Sequence, residues 1–249
     1  MQQTRIDKVI EEMQGGGKQP RGICLLLGRA DTGKTTLARG LAALLTVSGP
    51  TAVIDADIGQ SHIGPPTTVG WAVVDKTVAA QARMNDWEGP DLAQLDPAGV
   101  AFVGSVAPNR HLLQFTGAIT RAVNSSRTLA DLVIVDTTGF VDGPAAAALW
   151  WTVCQVVEPK WIVAVQHDEE LSPILSGLIR DNCRIIQLRP PQGISARSPE
   201  QRRRFRSERF AAYFERTVRE RFDLDRLATQ WICCGPGSEL ANRLVALRD

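Results

Sequence analysis

The chain has 249 residues, with 28 lysines and arginines against 27 aspartates and glutamates, a formal net charge of +1. That balance excludes a globally basic nucleic-acid coat while leaving room for a local basic patch, and no stretch reaches the roughly 20 apolar residues of a membrane-spanning helix. The length suits one compact domain with a sizeable core and a small appendage.

The N-terminus, MQQTRIDKVIEEM, lacks the apolar core of a secretory signal and reads as a short amphipathic helix. Gly15, Gly16 and Gly17 behind it read as a flexible joint, so residues 1–19 are expected as an appendage to the body. A cytoplasmic protein without a membrane partner is the expectation. The five cysteines contain no CxxC pair. Cys24 lies in an apolar run, where a thiol behaves as a small hydrophobe. Cys233 and Cys234 have no partner at ligand spacing and read as strand residues rather than a metal site. Thiols without a disulfide framework also suit a reducing compartment.

GICLLLG, residues 22–28, predicts a buried strand, followed by a helix over 35–45 and a strand over 51–55. A Gly/Pro/Thr-rich loop over 59–68 precedes strands at 69–74 and 101–104. Asn109 is placed to cap a helix running to about 123, with Leu112, Phe115, Ile119 and Ala122 on one face. DLVIVD, 131–136, is a further strand, a helix follows Pro144, and strands are expected at 161–165 and 184–188. Alternating strands and helices, with strands apolar on both faces, predict an α/β fold: a mostly parallel sheet with helices on both sides. After Arg189-Pro190-Pro191 the texture changes. Ser198-Pro199-Glu200-Gln201 is a helix start with a capping box. The main domain is expected over 20–225, and the short apolar pieces WICC and RLVAL within 226–249 read as strands of a remnant further domain.

Residues 28–35 read G-R-A-D-T-G-K-T, a full G-x-x-x-x-G-K-[ST] match between a strand and a helix. Such a loop turns backbone N–H groups and a helix N-terminus toward phosphate oxygens. The nucleotide-binding set is Gly28, Arg29, Ala30, Asp31, Thr32, Gly33, Lys34, Thr35 and Thr36. Lys34 is expected on the β- and γ-phosphates of ATP, and the Thr35 hydroxyl on Mg²⁺.

Two strands end in aspartate where an open α/β sheet binds ligands. Asp136, at the end of VIVD, fits a carboxylate that holds Mg²⁺ or its water. Asp57 is the better general-base candidate, because the loop after it is where an acceptor can arrive. For Asp55, capping and chemistry are equally open. Six arginines lie between Arg197 and Arg209, with Arg202, Arg206 and Arg209 on one helical face. This arginine-rich helix suits a lid that supplies bidentate donors to phosphates or a grip on a nucleic-acid backbone. Because clustered cations repel, the lid is expected to be mobile and to keep its arginines in solvent until phosphates arrive.

With these pieces the chain resembles the polynucleotide 5′-hydroxyl kinase family, the P-loop kinases that phosphorylate RNA 5′ ends in transfer-RNA splicing, pre-mRNA 3′-end processing and ribosomal RNA maturation. The resemblance covers roughly residues 20–215. It rests on Gly28, Asp31, Gly33, Lys34 and Thr35, and on D-x-D-x-G-Q with a following Pro-Pro (Asp55, Asp57, Gly59, Gln60, Pro65, Pro66). GSVAPNRH, VIVDTTGF and the arginine lid complete it. It implies that Asp57 activates a 5′-hydroxyl of RNA or DNA, that Gln60 helps to hold Mg²⁺, and that Arg197 and Arg202 are catalytic lid arginines beside Lys34. Two positions depart from the family pattern: Phe140 stands where tryptophan is frequent, and Thr67 where glycine is common. A non-catalytic ATP-binding scaffold of an RNA-processing assembly is the alternative, and a maturation GTPase the third reading. The third lacks the N/T-K-x-D element, since WIVAV runs into Gln166-His167-Asp168-Glu169. A monomer is expected.

Overall fold

The computed structural model describes residues 2–15, 19–85, 89–178, 183–193, 195–215 and 217–218. The expected strand segment within 226–249, with Cys233 and Cys234, lies outside the described residues, as do Gly16 and Gly17 of the joint. The chain runs α1 (Gln2–Gln14), β1 (Gly22–Gly28), α2 (Lys34–Leu45), β2 (Thr51–Ala56), β3 (Thr68–Val74), α3 (Lys76–Asn85) and β4 (Gly99–Phe102). It continues through α4 (Leu112–Ser126), β5 (Leu132–Thr137), α5 (Pro144–Val157), β6 (Trp161–Val165), the one-turn α6 (Ser172–Leu175), β7 (Arg184–Leu188) and α7 (Pro199–Phe214). No helix among these is long and apolar enough to cross a membrane.

One sheet carries the strands in the order β4-β3-β2-β5-β1-β6-β7. The five from β2 to β7 are parallel, whereas β3 and β4 are antiparallel additions at one edge. The β2–β3 connection holds no helix, so the chain turns back beside β2 instead of crossing over. Alternate residues of β1 explain the layers. Ile23, Leu25 and Leu27 join Phe115, Ile119, Trp150 and Ile174 in the core under α4, α5 and α6. Cys24 and Leu26 join Ile6, Val9, Leu37 and Leu41 under α1 and α2 on the other face. Burial on both faces is what makes the strand sequences continuously apolar.

Several local expectations change. Helix α1 is part of the body: Ile6, Val9 and Met13 are buried in the second core. The strand expected at 101–104 ends at Phe102, because Val103 N and Gly104 N turn to donate to Thr67 O at 2.9 and 3.1 Å. Asn109 does not cap α4. It sits inside a 3₁₀ turn over Pro108–Arg110, and α4 starts after His111. Helix α3 was not expected from the sequence; Asp75, whose carboxylate accepts from Val78 N at 2.9 Å, caps its start.

Thr67 has φ +73°, the left-handed region that a β-branched residue avoids. Its N donates to Ile58 O at 2.9 Å and its O takes the two bonds from Val103 and Gly104, so the conformation is fixed from both sides. Its Oγ1 is buried without a hydrogen-bond partner among the described residues. The departure from glycine at this position therefore carries strain and an unmet hydroxyl. Thr67→Gly is expected to raise stability by about 1 kcal/mol, the relief of left-handed strain exceeding the entropy cost of glycine. A higher urea midpoint at unchanged slope would show it; an unchanged or lower midpoint would contradict it.

Candidate active site

The carboxyl ends of β1, β2 and β5 meet at one edge of the sheet. Beyond β1 the chain forms the phosphate loop and enters α2 with Gly33 at φ +82° and no side-chain cap. The free N–H groups of that helix start face the loop, as phosphate binding requires. Lys34 is buried, and its Nζ donates to Gly28 O at 2.8 Å and Arg29 O at 2.7 Å. Burial lowers its pKa, opposed by Asp136, Asp57 and Asp31. Thr32 Oγ1 closes on Arg29 O at 2.8 Å. Arg29 reaches Asp142 at 2.6 Å, and Ala30 packs against Gly139.

The parallel register of β2 and β5 sets Asp55 opposite Asp136. Asp55 is buried and uses both oxygens on its own loop: Oδ1 accepts from Asp57 N at 3.0 Å, Oδ2 from His62 N at 2.5 Å and Ile63 N at 3.1 Å. It shapes the loop that presents Asp57. Burial and Asp136 push its pKa up to about 8 against those N–H bonds.

Asp57 accepts Gly59 N at 3.2 Å and Gln60 N at 3.3 Å on Oδ1, and its Oδ2 has no hydrogen bond among the described residues. Burial raises its pKa, opposed first by Lys34. Asp136 is fully buried; burial raises its pKa to about 6, opposed by Lys34 and by the Thr35 hydroxyl that donates to Oδ2 at 2.6 Å. Its Oδ1 is buried with no hydrogen-bond partner among the described residues. An orphaned carboxylate oxygen beside a threonine hydroxyl fits a hard divalent cation. Among the described residues no three His, Cys, Asp or Glu side chains are arranged to hold a metal ion by themselves, so such a cation would draw its remaining oxygens from water and phosphate.

Helix α7 lies across this edge. Ser198 and Gln201 form the expected capping box. Its arginines are not all in solvent, contrary to the sequence expectation, because the site offers acceptors for some of them. Arg202 Nη2 meets Asp31 Oδ2 at 2.5 Å, and Arg197 N donates to the same oxygen at 3.2 Å. Arg197 Nη1 donates to Gln60 Oε1 at 2.8 Å, and Arg209 Nη2 donates to the carbonyls of His62 and Gly64. Phe205 sits 5.2 Å from the His62 ring and under the Arg197 guanidinium. Arg203 and Arg204 remain exposed.

Asp57, Gly59, Gln60, Ala30, Phe140, Arg202 and Arg206 line a cavity of about 300 Å³, closed on one side by Val106, Ala107 and Pro108. The sequence-predicted Lys34, Thr35, Asp57, Gln60, Asp136, Arg197 and Arg202 are thus gathered at one edge. Sequence reasoning missed Asp31 as the partner of the lid, and the ring contact of His62 with Phe205 that packs the lid onto the loop after Asp57. Arg206 stood out only by sharing the face of Arg202.

Residues 28–216 match the family model described as mRNA cleavage and polyadenylation factor CLP1 P-loop. The chain is 31% identical over 224 residues to a polyribonucleotide 5′-hydroxyl-kinase of Pyrococcus furiosus, which covers 90% of this chain and 59% of that protein. It is 31% identical over 207 residues to the corresponding protein of Thermococcus kodakarensis, covering 82% of this chain and 54% of that one. The chain therefore spans little more than half the length of these relatives. Among solved structures, the wild-type Clp1p–Pcf11p complex matches with a TM-score of 0.59 at 17% identity, over 85% of this chain and 54% of that one. That likeness establishes the fold.

A Cβ on Gly139 would press on the backbone of Ala30 in the phosphate loop. Gly139→Ala is expected to weaken nucleotide binding about tenfold, an overpacking cost of about 1–3 kcal/mol placed on the loop. Calorimetric titration with nucleotide measures it, and an unchanged affinity would mean that the loop yields freely.

Proposed function

The chain belongs to the mRNA cleavage and polyadenylation factor CLP1 P-loop family, and we propose that it transfers the γ-phosphoryl group of ATP to the 5′-hydroxyl of an RNA end, with Mg²⁺ as its cation. The observation that carries this reading is the cavity in which Asp57 faces Arg202 and Arg206 beside the phosphate loop. An acceptor hydroxyl entering there meets a carboxylate with a free oxygen, and the nucleotide phosphates lie on the other side of it.

In this reading Lys34 leaves the carbonyls of Gly28 and Arg29 for the β- and γ-phosphates, as a point charge. Thr35 and Asp136 would hold Mg²⁺, with Asp57 and Gln60 at the same end, and that ion would neutralise charge between the β- and γ-phosphate oxygens. Asp57 takes the proton of the 5′-hydroxyl as its oxygen bonds to the γ-phosphorus and the bond to ADP breaks. Burial strengthens the carboxylate as a base. Arg197 and Arg202 stabilise charge on the phosphoryl group in transit. Arg206, on the acceptor side of the cavity, is placed for the RNA backbone. An intact Lys34 and the open oxygen of Asp57 favour catalysis over a silent scaffold.

The direct test is incubation with γ-labelled ATP and 5′-hydroxyl oligoribonucleotides or oligodeoxyribonucleotides. Label on the oligoribonucleotide is expected; none on either would overturn the reading, and label on DNA alone would reassign the acceptor. Asp57→Asn is expected to keep ATP binding and lose about 10² to 10⁴ in single-turnover rate, the usual cost of a general base. Lys34→Ala is expected to lose both binding and transfer. Arg197→Ala and Arg202→Ala should lower the catalytic rate far more than ATP affinity. A loss confined to oligonucleotide affinity, with a weaker salt dependence, would instead make them backbone grips.

A further inference from the structure

Asp31 is an acidic residue inside a loop built for anions. Around it the segment Gly28–Thr35 offers backbone N–H groups, an ammonium and a hydroxyl to phosphate, whereas a carboxylate there repels it. Asp31 also takes φ +59°, the left-handed region that aspartate and asparagine enter more readily than most residues. A bound polyphosphate gains nothing from this side chain. Its hydrogen bonds go to the lid instead.

Asp31 Oδ2 accepts from Arg202 Nη2 at 2.5 Å and from Arg197 N at 3.2 Å. Both side chains of the ion pair are largely withdrawn from water, 14% exposed for Asp31 and 29% for Arg202, so the pair is screened less than one on the open surface. Arg202 is held a second time, because its Nε donates to Arg197 O at 3.2 Å. A guanidinium is a rigid planar fork, and fixing Nε and Nη2 fixes its plane. The nitrogen left over, Nη1, makes no hydrogen bond among the described residues. Arg202 also lines the cavity that holds Asp57, and its positive charge opposes the burial that raises the pKa of that carboxylate. One side of the fork is therefore committed to the phosphate loop, and the other is available where the acceptor arrives.

We propose that Asp31 is the positioning residue of the lid: it holds Arg202 by Nη2 and leaves Nη1 for the phosphoryl group in transit. The arginine then meets the developing charge already oriented, which spares the reorganisation that a loose side chain would need. Because the anchor belongs to the phosphate loop, the loop that binds nucleotide also sets the register of α7 above it. The proposal rests on the reading of Arg202 as a catalytic lid arginine.

Asp31→Asn is the probing variant, since asparagine keeps the size of the side chain and tolerates the left-handed backbone while losing the charge. In single-turnover transfer to a 5′-hydroxyl oligoribonucleotide it is expected to lower the rate about tenfold, the scale of one hydrogen bond between charged groups. ATP affinity, measured by calorimetry, is expected to hold or rise, because a charge that repels phosphate is gone. In an Arg202→Ala background Asp31→Asn is expected to cost nothing further, as the group it positions is absent. In the ligand-free chain, hydrogen exchange of the first turns of α7 is expected to quicken about tenfold while β1 and β5 are unchanged. An unchanged transfer rate, a rate loss that adds fully to that of Arg202→Ala, or a fall in ATP affinity matching the fall in transfer would overturn the proposal and leave Asp31 a shaping residue of the phosphate loop. Failure of the unaltered chain to phosphorylate any oligonucleotide would instead overturn the function proposed above. The exchange measurement still decides whether Asp31 holds the lid, and unchanged exchange in α7 would overturn that too.

Discussion

Three carboxylates, Asp55, Asp57 and Asp136, are gathered at the adjoining ends of β2 and β5, and the buried ammonium of Lys34 acts on two of them, Asp136 and Asp57. Burial raises the pKa of all three aspartates and lowers that of the lysine. Each group is thus held where its charged form is costly; Lys34 offsets that cost for Asp57 and Asp136 and loop N–H groups offset it for Asp55 and Asp57, while the neighbouring carboxylates add to it for Asp55 and Asp136. Asp55 is relieved by three N–H groups of the loop it organises. Asp136 is relieved on one oxygen by Thr35 and on the other by no hydrogen bond among the described residues. The edge is therefore short of positive charge, and a divalent cation arriving with polyphosphate restores the balance.

The lid answers the same shortage from above. Arg202 and Arg197 converge on Asp31, which belongs to the phosphate loop itself, while Arg209 draws on carbonyls of the loop that follows Asp57. Repulsion among clustered arginines does not push these three into water, because each guanidinium has an acceptor: Asp31 for Arg202, Gln60 for Arg197, and the His62 and Gly64 carbonyls for Arg209. Helix α7 is consequently registered against both halves of the site, with the nucleotide loop under its start and the loop after Asp57 under its middle.

Much of this was legible in the sequence, for physical reasons. Contiguous motifs such as Gly28–Thr35 report local backbone geometry, and apolar runs report strands buried on both faces, so the phosphate loop and most strands could be placed. The reversed direction of β3, antiparallel to both β2 and β4, could not, since strand polarity depends on the route of the connection and not on the strand residues. Ser198 and Gln201 announced the start of α7, whereas Asn109 misled, because Pro108 draws it into a 3₁₀ turn. Thr67 was noticed only as a departure from a pattern; its meaning lies in a dihedral angle.

Helix α7 buries none of its residues. Its attachment consists of a few polar contacts and ring edges, while β1 and β5 lie under two layers of apolar side chains. Stability is unevenly shared across such a structure, and the amides of α7 open to water at a far lower free energy than those of the central strands. In hydrogen exchange the lid would therefore behave as a separate cooperative unit, one that can come away and return many times while the sheet beneath it never opens.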